Sequence, residues 1–214
     1  MKLLDFCDMI VHMIKFVIFD VMGVIFTVGD DVEGVLIPYI RPLKPEIETG
    51  KIKENYIDAS LGKISSYEFW ARAGFDEAAI PAVERNYLEK SFSLDEEFIP
   101  CARELKGRYG IALLSNDVSE WSVFLRKFYG IEPLINAAFI SGDLGVRKPD
   151  PEIYRIALKS LGAKPSECVF IDDSPERVDA ARELGISSVL FDREGHDYKG
   201  LRVKSFEQIK QLLL

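Results

Sequence analysis

Four short clusters hold residue types that could do chemistry together. They are Asp20-Val-Met22-Gly23, Leu113-Leu114-Ser115-Asn116, Arg147-Lys148-Pro149 and Ile171-Asp172-Asp173-Ser174. Among them they supply a nucleophilic carboxylate, a hydroxyl, a cation and an acidic pair. Carboxylates drawn from two places suit Mg²⁺, a hard ion that takes oxygen ligands and keeps its waters. A lysine and backbone N–H groups near a serine suit phosphate oxygens. Each cluster alone has a plainer reading. Asp20 could end a strand in a turn, Ser115 could cap a helix over 117–129, Lys148 could be a loop charge, and Asp172-Asp173 could be a solvated turn pair. Gly142, Gly145 and Lys148 lack the spacing of a P-loop.

Strand ends would bring the clusters together. Apolar runs occur at about 15–20, 111–115, 137–140, 168–172 and 187–191. Four apolar residues in a row, as at 16–19, suit a parallel strand covered on both faces. Helical patterns lie between the later runs. Trp121, Phe124, Leu125 and Phe128 share one helical face, as do Ile99, Ala102, Leu105 and Tyr109. Asp150 before Pro151, and Ser174 before Pro175, read as N-caps followed by proline at the first helical position. Gly185 closes the helix 175–184. Alternating strands and helices imply an α/β fold, a doubly wound parallel sheet with right-handed crossovers. Such sheets bind ligands beyond their strand carboxyl ends, where the clusters fall.

The region from about 30 to 95 differs. It reads as helical, with Pro38, Pro42, Pro45, Gly50, Gly62 and Gly74 as punctuation. The expected organisation is a core of residues 1–27 and 96–214 with a small helical cap, 28–95, inserted after the first strand and lying over the sheet's carboxyl edge. Tyr67, Phe69 and Trp70 read as the interior of that insert.

The 214 residues carry a net charge of −8, with 48% hydrophobic and 29% charged side chains. A basic face for nucleic acid is not expected. No apolar run reaches the roughly 18 residues of a membrane span. Residues 1–14 lack a secretory start, and Met9 and Met13 lie close before the first strand. Cys7, Cys101 and Cys168, odd in number and without metal-ligand spacing, suit reduced thiols in the cytoplasm. His12 and His196 read as structural or surface residues.

Taken in order, the four clusters resemble the motifs of the haloacid dehalogenase superfamily, and the likeness runs from about residue 14 to the end. Gly145-Val-Arg-Lys148-Pro-Asp-Pro-Glu-Ile-Tyr154 and Gly62-Lys-Ile-Ser-Ser-Tyr-Glu-Phe-Trp70 are similar to the branch whose helical cap follows the first motif. The resemblance implies a Rossmann-like core and an aspartyl-phosphate on Asp20. It places Ser115, Asn116 and Lys148 on the substrate. It implies Mg²⁺ held by Asp20, the Met22 backbone carbonyl and Asp173, with Asp172 a ligand or a partner through water. The substrate would be a small phosphorylated metabolite, and the protein a monomer or weak homodimer.

Two departures qualify the likeness. Phosphatases of the superfamily have an aspartate at position 22 that protonates the leaving group and then activates water, and Met22 can do neither. Arg177 stands where the superfamily often has Asp or Asn. The first expectation is therefore a Mg²⁺-dependent phosphomonoester or acyl-phosphate hydrolase, with Asp30, Asp31 or Glu33 of the cap a possible replacement acid. The alternatives are a 2-haloacid dehalogenase, in which the aspartate attacks carbon without a metal, and a non-catalytic member that binds a phosphorylated ligand or a protein.

Overall fold

A computed structural model describes residues 13–214. Cys7, Met9 and His12 lie outside the described residues. The expected sheet is present. Six parallel strands run in the order β3-β2-β1-β4-β5-β6, with β1 Phe16–Phe19, β2 Gly110–Ser115, β3 Ala137–Ile140, β4 Cys168–Asp172, β5 Ser187–Phe191 and β6 Arg202–Val203. This order reverses direction at β1, between β2 and β4, which makes the carboxyl end of β1 the topological switch point where ligands bind. The two-residue β6 was not expected, being too short to leave a periodic signal.

Side chains alternate across the sheet as a period of two requires. Val17 and Phe19 enter one core with Phe98, Leu105 and Phe206. Ile18 enters the other with Leu114, Tyr154 and Phe170. Each large side chain so buried contributes about 1.5–3 kcal/mol. The flanking helices are α4 Phe98–Leu105, α5 Ser119–Phe128, α6 Pro151–Leu161, α7 Pro175–Glu183 and α8 Phe206–Leu213, numbered after three earlier ones. Among the described residues no helix is long and apolar enough to cross a membrane.

Several local expectations shift. Asp20 lies just past β1 rather than within it. Tyr109 lies beyond α4, whose periodicity ends at Leu105. On α5, Trp121 and Leu125 are buried but Phe128 is exposed and stacks on Phe124. Asp150 caps α6 by accepting from the Glu152 N–H at 2.9 Å. Ser174 holds the N-cap position of α7 without a capping bond. Its own N–H instead donates to Asp172 Oδ1 at 2.9 Å. Gly185 ends the segment with φ +84°.

Between β1 and α4 the chain is helical, with α1 Thr49–Ser60, α2 Ser66–Arg72 and α3 Ile80–Lys90. A capping box of Ser65 and Glu68 starts α2. The segment leaves and returns side by side, through an antiparallel bridge between Phe26 and Leu94. Thr27 N–H donates to Ser93 O at 3.0 Å and Asp95 N–H to Ile25 O at 2.9 Å. Phe69 and Trp70 are fully buried as expected, whereas Tyr67 is exposed. Glu84 Oε2 accepts from the Trp70 indole at 2.9 Å and from Trp121 of α5 at 2.8 Å. One carboxylate thus ties the helical segment to the sheet's flanking layer.

Candidate active site

Parallel register places the candidate residues together. Phe19 pairs with Leu113 on one side and Ile171 on the other. Asp20, Ser115 and Asp172 therefore emerge at one edge. Asp20 is anchored there by its own N–H, which donates to Ile171 O at 2.8 Å. Its Oδ1 accepts from the Val21 N–H at 2.7 Å.

Lys148 arrives from the loop before α6 and is wholly buried. Its Nζ lies 2.7 Å from Asp20 Oδ1 and 2.6 Å from Asp172 Oδ2. Asn116 fixes the approach, since its Nδ2 donates to Lys148 O at 2.9 Å and its Oδ1 accepts from Lys148 N–H at 2.8 Å. Asn116, expected at the substrate, thus spends its amide largely on positioning the lysine. Ser115 Oγ is buried with no hydrogen-bond partner among the described residues, and Ser115 lines a cavity of about 500 Å³ beside Asp20 and Met22. A buried hydroxyl without a partner costs free energy unless a ligand or water completes it. That orphan suits an anionic oxygen beside Asp20.

The acidic pair divides its work. Asp172 faces Lys148 and the Ser174 N–H. Asp173 reaches back to the turn after β1, where a Cβ on Gly23 would lie 1.9 Å from Asp173 Oδ2 and one on Gly29 would lie 2.5 Å away. Gly23 also has φ +77°, so glycine is required there on both counts. Arg177, unplaced by sequence, turns into the same cluster. Its Nη1 lies 3.3 Å from Asp20 Oδ2, 3.7 Å from Asp172 Oδ1 and 3.8 Å from Asp173 Oδ1.

Electrostatics follow from this crowding. Burial and then Asp172 push the Asp20 carboxyl up, against Lys148 and Arg177. Burial would also raise Asp172, but Lys148 and Arg177 outweigh it and hold the group below the usual carboxylate range. Asp173 is raised to about 8 by burial, then by Asp20 and Asp172. Three carboxylates face two fixed cations, so full ionisation would leave one negative charge in excess, and the raised Asp173 carboxyl relieves it by keeping its proton up to about pH 8.

The donor set fits a small divalent cation. One oxygen from each of Asp20, Asp172 and Asp173 lies within 4.8 Å of the others. The open faces of Gly23 and Gly29 leave Asp173 room beside the first motif. Arg177 faces the same three carboxylates, and any bound cation would have to share them with it or displace it.

Sequence reasoning missed Arg193, which had no motif to mark it. Its guanidinium donates to Gly23 O at 3.1 Å and Val24 O at 3.0 Å, and pairs with Asp95 at 2.6 Å. It clasps the turn that presents Asp20 to the returning chain. His196, read as structural or surface, lines the cavity and meets Asp192 Oδ1 at 2.9 Å through Nδ1.

Comparison with known proteins now decides the family. A family model described as haloacid dehalogenase-like hydrolase matches residues 14–185. The chain belongs to that family. It is 26% identical over 143 residues to an (S)-2-haloacid dehalogenase of Burkholderia cepacia, covering 60% of this chain and 61% of the relative. It is 34% identical over 84 residues to a phosphoserine phosphatase of Thermus thermophilus, covering 39% and 34%. The chain thus spans less than two thirds of either curated relative. A HAD family enzyme from Bacteroides thetaiotaomicron, solved with magnesium and inorganic phosphate, shares the fold. It matches with a TM-score of 0.67 and 21% identity, over 87% of this chain and 98% of that one. Membership places the chain in a family described as hydrolases. It does not by itself choose between phosphorus and carbon as the atom attacked.

Proposed function

We propose that the protein is a Mg²⁺-dependent phosphohydrolase that forms an aspartyl-phosphate on Asp20. The observation that carries this reading is the pairing of Asp20 with Lys148 beside the unpartnered Ser115 hydroxyl, at the cavity and next to Asp173. In this reading Asp20 attacks phosphorus in line with the leaving oxygen. Ser115 and Lys148 take the transferring phosphoryl oxygens, where Lys148 also offsets charge that builds in the transition state. Asn116 keeps Lys148 in place. Asp20, the Met22 carbonyl and Asp173 would hold Mg²⁺, with Asp172 supporting Lys148. The ion would neutralise phosphoryl charge. Residues 28–95 act as a cap over the cavity and select the substrate, a small phosphorylated metabolite.

The dehalogenase reading has Met22 and the Burkholderia relative in its favour. The acidic pair weighs against it. A haloacid substrate brings its own carboxylate to three crowded acidic side chains, two of which are already raised by burial and by one another, so a further negative charge there is opposed.

Melting temperature with and without Mg²⁺, read beside turnover of a phosphate-ester panel and chloride release, tests the proposal. Turnover should require Mg²⁺, and Mg²⁺ should raise the melting temperature by linkage. Asp173→Ala should abolish that rise. Arg177→Asn should enlarge it, because a like charge within about 5 Å costs the ion one to several kcal/mol, or about tenfold or more in affinity. A rise that survives Asp173→Ala would place the ion elsewhere.

A further inference from the structure

Met22 leaves the reaction without a proton donor in the first motif, and the three acids expected as substitutes meet different fates. Asp30 also borders the cavity but is exposed, and its Oδ1 is taken up by the Glu33 N–H at 2.9 Å. Glu33 is exposed and ion-pairs with Lys53. Asp31 alone of the three is buried, and it lines the cavity that Asp20 and Met22 share.

A hydrogen count bears on its state. The Tyr56 hydroxyl lies 3.1 Å from Asp31 Oδ2 and 3.2 Å from the Asn116 carbonyl oxygen. Both are acceptors when Asp31 is ionised, and the phenol has one hydrogen to give. With Asp31 protonated, both contacts become donor–acceptor pairs. Asp31 then donates to Tyr56, and Tyr56 donates to Asn116. That chain runs from the helical segment to the residue that clamps Lys148.

We infer that Asp31 is the general acid and base of this enzyme, in place of the missing first-motif carboxylate. The inference rests on the phosphotransfer reading above. In the first half-reaction Asp20 forms a bond to phosphorus and the ester P–O bond breaks. The leaving alkoxide takes the Asp31 proton and departs as the alcohol, leaving Asp31 ionised. In the second half Asp31 takes a proton from water, and the water oxygen attacks phosphorus. The Asp20–phosphorus bond then breaks, releasing inorganic phosphate and restoring both carboxyl groups to their starting states.

The surroundings agree. Burial raises Asp31 to about 6 against the Tyr56 hydrogen bond, with Asp30 and Asp20 raising it further and Arg147 opposing them. Asp117 and Tyr87 also face this cluster. Arg147 stacks over the Tyr56 ring, 5.5 Å from its centroid, and is tied to Ser60. Tyr56 is thus held from both sides.

The test compares an alkyl phosphomonoester, whose alkoxide needs a proton, with p-nitrophenyl phosphate, whose leaving group needs little help. Asp31→Asn should lower kcat/KM on the alkyl ester about 10²–10³-fold and on the aryl ester less than about fivefold. An acid must be protonated to act, so wild-type kcat/KM on the alkyl ester should fall as pH rises through about 6. Asp31→Asn should erase that limb. Tyr56→Phe removes the phenol bonded to Asp31 and should shift the limb along the pH axis. Adding Met22→Asp to Asp31→Asn should restore alkyl turnover at least about tenfold. Equal losses on both esters, or a limb that ignores both Asp31→Asn and Tyr56→Phe, would overturn the assignment while leaving the phosphohydrolase reading intact. A wild-type enzyme with no turnover of either ester would bring down both.

Discussion

Asp20→Asn is expected to remove turnover, by on the order of 10⁴–10⁶-fold, as loss of a nucleophile does in other covalent mechanisms. The amide is nearly isosteric but a far weaker nucleophile. The fold should persist, because the anchoring bond from Asp20 N–H to Ile171 O belongs to the backbone. The melting temperature should hold or rise slightly, since the change relieves a buried carboxyl whose charge Asp172 opposes. Steady-state turnover of p-nitrophenyl phosphate and a thermal melt on the same sample check both parts. Activity near that of the wild type would show that another group attacks.

Lys148→Met is expected to damage stability more than any other single change at the site. Lys148 is fully buried between Asp20 and Asp172. Removing one partner of a buried ion pair costs about 3–5 kcal/mol, because the remaining charges stay buried without compensation. At this chain length that corresponds to a fall of about 6–20 °C in melting temperature. The sign of the pH dependence follows from Asp172. Its folded carboxyl is held below the unfolded value, so its contribution is present above the ordinary carboxylate range and is lost as pH falls through the folded value. The deficit of Lys148→Met should therefore be large at neutral pH and shrink in acid, where the stranded carboxylates protonate. Equal melting curves for variant and wild type at neutral pH would contradict the ion pairs.

What the sequence made legible was the part governed by strand ends. A run of four apolar residues before Asp20, and similar runs before Ser115 and Asp172, marked parallel strands. Parallel strands carry their last residues to one edge, so three of the four clusters had to converge once the sheet order was right. Lys148 came from a loop, and its place rested on resemblance. The structure adds the reason it holds its position, the Asn116 amide bridging its backbone. Side chains that reach inward from helices were harder to read. Arg177 sits on the first turn of α7, and nothing in helical periodicity says whether a long flexible cation there faces water or a cavity. Asp31 was one of three acids between positions 30 and 33, and only its burial beside Tyr56 separated it from Asp30 and Glu33. Arg193 lies in a turn after β5 and grips backbone carbonyls, which carry no sequence signature.

Single turnover in heavy-oxygen water tests the central claim most directly, because the label records which bond water breaks. An aspartyl-phosphate is cleaved at phosphorus, so the label should appear in the released phosphate and the Asp20 peptide should stay unlabelled by mass spectrometry. An ester formed by attack on carbon is hydrolysed at the aspartyl carbonyl, which would leave the label in the Asp20 carboxylate and release halide from a haloacid. Label in phosphate with Asp20 unlabelled is the predicted result, and label in Asp20 would contradict the account.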